Sequence, residues 1–230
     1  MSKRARIEWR FGGVAPATAG MEAVALVLSL DDPAASPLWS LEPSRQDEAD
    51  LSYAGASSRH RFYERRALLR ALVAAQLHCA PDEVIIGYDS AGAPRILSPE
   101  CPFHVSVAGR DELAAAAVSA SAVGVDLEPL DREAEPVAAV LHPNEIASLE
   151  ALEPGSRGEA FLRIWTMKEA YLKALRTGLN CDPVGVEIRA EDARTARIFD
   201  NVSDAQCLAS WTLTEIGGRP VIAACVALDV

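Results

Sequence analysis

Several things are missing from this sequence, and each absence narrows what it can be. The longest apolar stretches, such as Leu113–Val118, fall far short of the roughly 20 residues that a bilayer-spanning helix needs. No membrane span is expected. An N-terminal signal core is missing too, because Glu8, Arg10 and the glycines follow Lys3, Arg4 and Arg6 where an apolar segment and a small-residue cleavage site would stand. That reads as a cytoplasmic protein. The five cysteines, Cys79, Cys101, Cys181, Cys207 and Cys225, are odd in number and scattered, with no Cys-x-x-Cys spacing to indicate zinc or a redox pair. A surplus of basic residues is also lacking. The net charge of −11 argues against a nucleic-acid partner, since affinity for a phosphate backbone rests on Lys and Arg.

What is present is 230 residues, half of them hydrophobic, enough for one large core or two small ones. Ala23–Leu30 reads as an opening strand, followed by an irregular connection through Pro33, Pro37 and Pro43. From Ser58 to His78, Phe62, Leu69, Leu72, Val73 and Leu77 recur at helical spacing, and Arg59, Arg61, Arg65, Arg66 and Arg70 make that helix a basic entry. Any one arginine can be a solvated side chain. Five within twelve residues of an acidic protein mark a candidate anion site.

Phe103–Val118 reads as a hairpin turning at Ala108–Asp111, and Leu213–Val226 repeats the plan with Gly217–Pro220 at its turn. Both copies end alike, on Ala115-Ala-Ala-Val118 and Ala223-Ala-Cys-Val226, which suggests two related halves, residues 1–120 and 121–230. Between them lie a strand at Val123–Glu128, a helix after His142-Pro143, and a longer helix from about Arg157 to Thr177, stopped by Gly178. Hairpins and helices without regular βαβ alternation point to an α+β fold.

Asp126 and Glu128, two apart on a strand, project from one face, and two like charges side by side ask for a cation. On the long helix the stripe of Phe161, Ile164, Trp165, Leu172 and Leu175 carries Lys168 at its centre and Glu169 at its edge, with Lys173 one turn on. Charges there are costly unless paired with each other or bound to a metal or charged ligand. Helical salt bridges would satisfy them; so would a hard cation shared with phosphates, because such ions take oxygen ligands. At this level the chemistry is phosphoryl or nucleotidyl transfer, with the substrate open. A Mg²⁺ nuclease could use the same groups, although the acidic charge and the absence of aromatic-basic interleaving weigh against it.

Gly124-Val-Asp-Leu-Glu128, then Trp165-Thr-Met-Lys-Glu-Ala-Tyr-Leu-Lys173 about forty residues later, then Gly178-Leu179, together resemble the signature of the 4′-phosphopantetheinyl transferase family, and the length resembles its monomeric surfactin-synthetase-activating type. The resemblance covers roughly Arg59–Leu179. It implies two similar α/β subdomains related by a pseudo-twofold axis, coenzyme A between them, a carrier protein as partner and a site complete in a monomer. Carried over by position, it makes Asp126, Glu128 and Glu169 the Mg²⁺ ligands, Lys168 and Lys173 contacts to the pyrophosphate, and Glu145 the base for the carrier serine. Arg61, Arg66 and Ser106 fall on the coenzyme A side. Two positions depart from the pattern. Val107 stands where a histidine is usual and Ala93 where a lysine is, with Arg95 or His104 as candidates to compensate. Those departures imply weaker coenzyme A binding, tolerance of the dephospho form, or a protein that keeps the fold as a ligand-binding or regulatory module.

Overall fold

Strand periodicity divides the sheet residues of this chain among three cores, with a fourth, smaller cluster of Leu141, Leu149, Phe161 and Leu162 around the helices, and those cores fix the architecture. The computed structural model describes residues 6–35, 38, 40–51, 59–177 and 181–228; Ser58, Gly178 and Leu179, each part of a reading above, lie outside them. In strand β2 (Ala23–Ser29), Val24, Leu26 and Leu28 face one way while Ala23, Ala25 and Val27 face the other, as a period of two requires. Strand β6 (Leu113–Ser119) does the same with Ala114, Ala116 and Val118 against Leu113, Ala115 and Ala117. With β1 (Ile7–Phe11) and β5 (His104–Arg110) they form a four-stranded sheet in the order β1-β2-β6-β5. A second sheet has the order β7-β11-β10-β9-β8, built from β7 (Val123–Pro129), β8 (Val186–Ala190), β9 (Thr195–Asp200), β10 (Ala205–Ile216) and β11 (Arg219–Ala227). A small hairpin, β3 (Ile85–Tyr88) and β4 (Pro94–Ser98), stands apart from both.

The helices are α1 (Arg45–Leu51), α2 (Arg59–Leu77), α3 (Pro143–Glu150) and α4 (Pro154–Leu175). Helix α2 covers the outer face of the first sheet through Leu68, Leu69, Leu72 and Val73. Helix α4 covers the outer face of the second through Met167, Ala170, Tyr171 and Ala174. The inner faces of the two sheets pack on each other through Ala23, Ala25, Ala115, Ala117, Val125, Leu127, Ala223 and Cys225. The result is an α+β fold of four layers, helix-sheet-sheet-helix, and among the described residues no helix is long and apolar enough to cross a membrane. Strand, helix and antiparallel hairpin recur as β2-α2-β5-β6 and as β7-α4-β10-β11. In each the first strand pairs antiparallel with the last, β2 with β6 and β7 with β11.

Helix α3 begins where His142 accepts from the Asn144 N–H and the Glu145 side chain accepts from the His142 N–H, a reciprocal cap, with Pro143 in the first turn. Helix α4 starts at Pro154, earlier than Arg157, and stops two residues short of Thr177 because Arg176 takes the left-handed conformation at φ 56°. The β10-β11 hairpin turns on Gly217 and Gly218, both at positive φ, as a two-residue loop demands.

Gly124 sets the distance between α4 and β7: a Cβ there would lie 1.9 Å from the Ala170 carbonyl oxygen. Gly124→Ala is expected to cost about 3 kcal/mol in urea unfolding through overpacking. Gly155→Ala, at a position with open space around it, is expected to change stability little.

Candidate functional site at the junction of the two sheets

Because Val123, Val125 and Leu127 fill the inter-sheet core, Gly124, Asp126 and Glu128 face α4. Helix geometry brings Glu169 and Lys173, one turn apart, to the same region. The Lys173 Nζ donates to Asp126 Oδ1 at 2.6 Å and to the Val125 carbonyl at 3.3 Å. Asp126 and Glu128 are both buried, at 8% and 3% exposure. Glu128 accepts from Arg110 at 2.9 Å on one oxygen and from Arg132 at 2.8 Å on the other. Burial pushes the Asp126 carboxyl up to about 6; Lys173 opposes the shift, and the charges of Glu169 and Glu128 add to it. Burial raises Glu169 too, with Lys173 against it and Glu128 reinforcing it. Mutual repulsion of this kind is what a bound divalent cation relieves, and the all-oxygen donor set suits Mg²⁺. The carboxylates are not gathered into a ready cage: among the described residues no three His, Cys, Asp or Glu side chains converge on one point.

Strands β5 and β7, each at an edge of its sheet, run beside one another at this junction. The buried Ser106 Oγ accepts from the Val125 N–H at 3.1 Å, so Ser106 joins the two sheets. Arg110 crosses the same junction to Glu128.

Other residues singled out in the sequence lie elsewhere. Lys168 is fully buried and points away from Lys173, since five residues carry a helix through about 500°. Its Nζ sits 2.7 Å from Glu145 Oε2 and donates to the carbonyls of Val140 and Pro183 at 3.0 and 2.8 Å. Burial lowers its pKa and Glu145 counteracts that. Glu145 also accepts from the His142 and Ile188 N–H groups, both at 2.8 Å. Lys168 and Glu145 therefore form a saturated internal pair fastening α3 to α4 and β8, with no group left over for a pyrophosphate or a serine.

Arg66 is likewise internal: it bonds Asp50 at 2.7 Å and lies over the rings of Tyr88 and Phe62 at 4.4 and 5.1 Å. Arg61 is held by Asp31 and Glu64 at 2.9 and 3.0 Å, and Arg70 by the carbonyls of Glu42 and Pro81. Arg65 lies against Gly109, where a Cβ would meet its guanidinium, and its buried Nε has no hydrogen-bond partner. Burial lowers its pKa and Arg61 adds to that. Val107 packs on the first core. Ala93 sits in the β3-β4 turn, its N–H bonded to Asp89. Asp89 pairs with Arg176 at 3.0 Å, and Arg176 reaches His104 Nδ1 at 3.3 Å, so two basic groups stand beside the turn that lacks the usual lysine. Arg110, Arg132 and Arg176 were not singled out from the sequence, although Arg132 is four residues beyond Glu128 and Arg110 shares the orientation of Ser106.

Comparison with known proteins agrees with this arrangement. Residues 122–225, which contain β7, α4, β10 and most of β11, match the model of the 4′-phosphopantetheinyl transferase superfamily. Among individual relatives, a putative 4′-phosphopantetheinyl transferase of Synechocystis sp. is 32% identical over 134 residues, 56% of this chain and 54% of that protein. The 4′-phosphopantetheinyl transferase HetI of Nostoc sp. is 28% identical over 177 residues, 70% of this chain and 74% of its own length. A Bacillus subtilis 4′-phosphopantetheinyl transferase is 27% identical over 135 residues, 58% of this chain and 59% of that protein. The match thus spans about half the length of the first of these relatives.

Two measurements test the geometry. Glu145→Ala strands the fully buried Lys168 ammonium and is expected to cost roughly 3 to 5 kcal/mol in denaturant unfolding, whereas Lys173→Met leaves the buried Asp126 without its cation and is expected to cost less, about 1 to 3 kcal/mol, because Asp126 can take up a proton. Because its folded pKa is raised, Asp126 contributes stability that is fully present below 3.8 and lost as the pH rises through about 6. Metal-free Asp126→Asn is therefore expected to outlast wild type in urea at pH 7, by a margin that closes as the pH falls; a margin independent of pH would refute the shift.

Proposed function

We propose that this chain is a Mg²⁺-dependent 4′-phosphopantetheinyl transferase, moving the phosphopantetheine arm of coenzyme A onto a serine of an acyl or peptidyl carrier protein. The observation that carries the reading is the set of facing charges on β7 and α4: Asp126 and Glu169 with raised pKa values, and Lys173 clasped to Asp126 at 2.6 Å. The superfamily match falls on the segment that holds all three, and the curated relatives carry the transferase name.

Asp126 and Glu169 would hold the Mg²⁺, which when bound neutralises charge on the pyrophosphate. Lys173, released from its pair with Asp126, would contact the same phosphates. The carrier serine oxygen forms its bond to the β-phosphorus, the anhydride P–O bond breaks, 3′,5′-ADP leaves with that electron pair, and the serine proton is released. Positioning and charge stabilisation supply the rate. Glu145 and Lys168 act as positioning residues for α3 and α4 in this reading, since both are saturated by internal bonds. The division into residues 1–120 and 121–230 follows the two strand-helix-hairpin repeats, whose fusion in one chain suits a monomer working in the cytoplasm. A binding module without transfer is the second reading, favoured by Val107 in the core and Ala93 in the β3-β4 turn.

The test is intact-mass analysis of apo carrier proteins incubated with this protein, coenzyme A and Mg²⁺. A gain of about 340 Da, one phosphopantetheine arm, is expected with wild type, reduced at least a hundredfold in rate by Asp126→Asn or Glu169→Ala. Coenzyme A binding with no gain on fatty-acid, polyketide or peptide-synthetase carriers would instead select the binding module.

A further inference from the structure

Glu128 differs from the other two carboxylates in having both oxygens committed, each to a different arginine and each below 3.0 Å. Arg110 comes from the end of β5 in the first sheet, and Arg132 from the turn after β7 in the second. One guanidinium suffices to neutralise a buried carboxylate, so Arg110 and Arg132 together bring one positive charge more than Glu128 requires, set against the neighbouring Asp126 and Asp111. The carboxylate is 4% exposed while the two arginine side chains are 47% and 40% exposed, so the anion is inside and the two cations reach out to solvent. Each guanidinium carries five N–H donors in a planar fork, and the bond to Glu128 uses Nη2 alone on each arginine. Besides Glu128, the carboxylates of Asp111 and Asp126 act on Arg110, while Asp131 and Glu112 are engaged by Arg219 at 2.6 and 2.7 Å. Asp111, also acidic, lies 3.6 Å from the same Arg219.

We propose that Glu128 is not a metal ligand but the buried anchor of a twin-guanidinium receptor, in which Arg110 and Arg132 together bind a phosphate or pyrophosphate group beside Asp126 and Glu169. The inference deepens the transferase reading and rests on it for the identity of the natural ligand. It makes Glu128 a positioning residue and Arg110 and Arg132 binding residues, and it reduces the metal-holding carboxylates to Asp126 and Glu169. The receptor spans the junction of the two sheets, so the phosphate would be gripped from both repeats of the fold.

The experiment is calorimetric titration of the full chain with Mn²⁺ alone, then with inorganic pyrophosphate and with coenzyme A, keeping thermal unfolding as a control for folding. Glu128→Gln is expected to keep Mn²⁺ affinity within about threefold of wild type, while Asp126→Asn or Glu169→Gln lowers it at least tenfold. Arg110→Ala and Arg132→Ala, at half-exposed positions that leave the cores intact, are each expected to weaken pyrophosphate and coenzyme A about tenfold and to leave Mn²⁺ binding unchanged, with Arg→Lys at either position restoring only part of the affinity. Loss of Mn²⁺ binding in Glu128→Gln equal to that of Asp126→Asn overturns the proposal, as does unaltered pyrophosphate affinity in the double Arg110→Ala/Arg132→Ala variant or a wild type that binds neither anion. Failure of carrier modification with arginine-dependent pyrophosphate binding intact would count against the transferase reading alone.

Discussion

Strand β7 and helix α4 meet with no side chain between them at Gly124, and most of the polar arrangement in this protein depends on that close approach. It brings Lys173 within 2.6 Å of a carboxylate that β7 buries on the same face. A helix held farther out by even one methyl group would leave Asp126 buried and alone, at the cost an unpaired internal charge carries. The site and the packing are therefore one problem, solved by a glycine on the strand and small residues, Ala170 and Ala174, on the helix.

The same helix carries two lysines with opposite fates. Lys168 is turned inward, where a carboxylate and two carbonyls satisfy all three of its donors, while Lys173 keeps part of its surface in water and a single carboxylate partner. A fully satisfied buried pair rigidifies. A half-exposed pair can exchange its partner for a ligand. These are two of only three lysines in the sequence, the third being Lys3; arginine carries nearly all the remaining positive charge, and most of those guanidiniums are spent on internal carboxylates and carbonyls.

Much of this was legible in the residues themselves. The two hairpins, the basic helix and the long helix follow from periodicity and turn chemistry, because those signals are local. The Asp126/Glu169/Lys173 grouping was readable from strand and helix geometry together with the motif. What periodicity could not give was the direction of each charge once inside. Lys168 and Glu169 are adjacent in sequence, yet 100° of helix rotation sends one to α3 and the other toward β7. The resemblance puts Arg61 and Arg66 on the coenzyme A side, but Asp31, Asp47 and Asp50, which pair with them, lie outside the basic run and only the tertiary fold supplies them. The role of Arg110 was hidden for the same reason, its partner being on the opposite sheet.

One feature of the junction reaches beyond ligand chemistry. Strands β5 and β7 are both sheet edges, and an edge strand offers unpaired backbone groups to any other chain. Here the two edges shield each other, with Ser106 satisfying a β7 amide by its hydroxyl instead of a ladder bond. Setting the two repeats side by side thus guards these two edges against intermolecular sheet growth, leaving β1 and β8 as the outer edges. Either repeat produced alone would present a bare strand edge and a naked alanine-rich face, so the pairing of the halves serves solubility as much as it shapes the cleft.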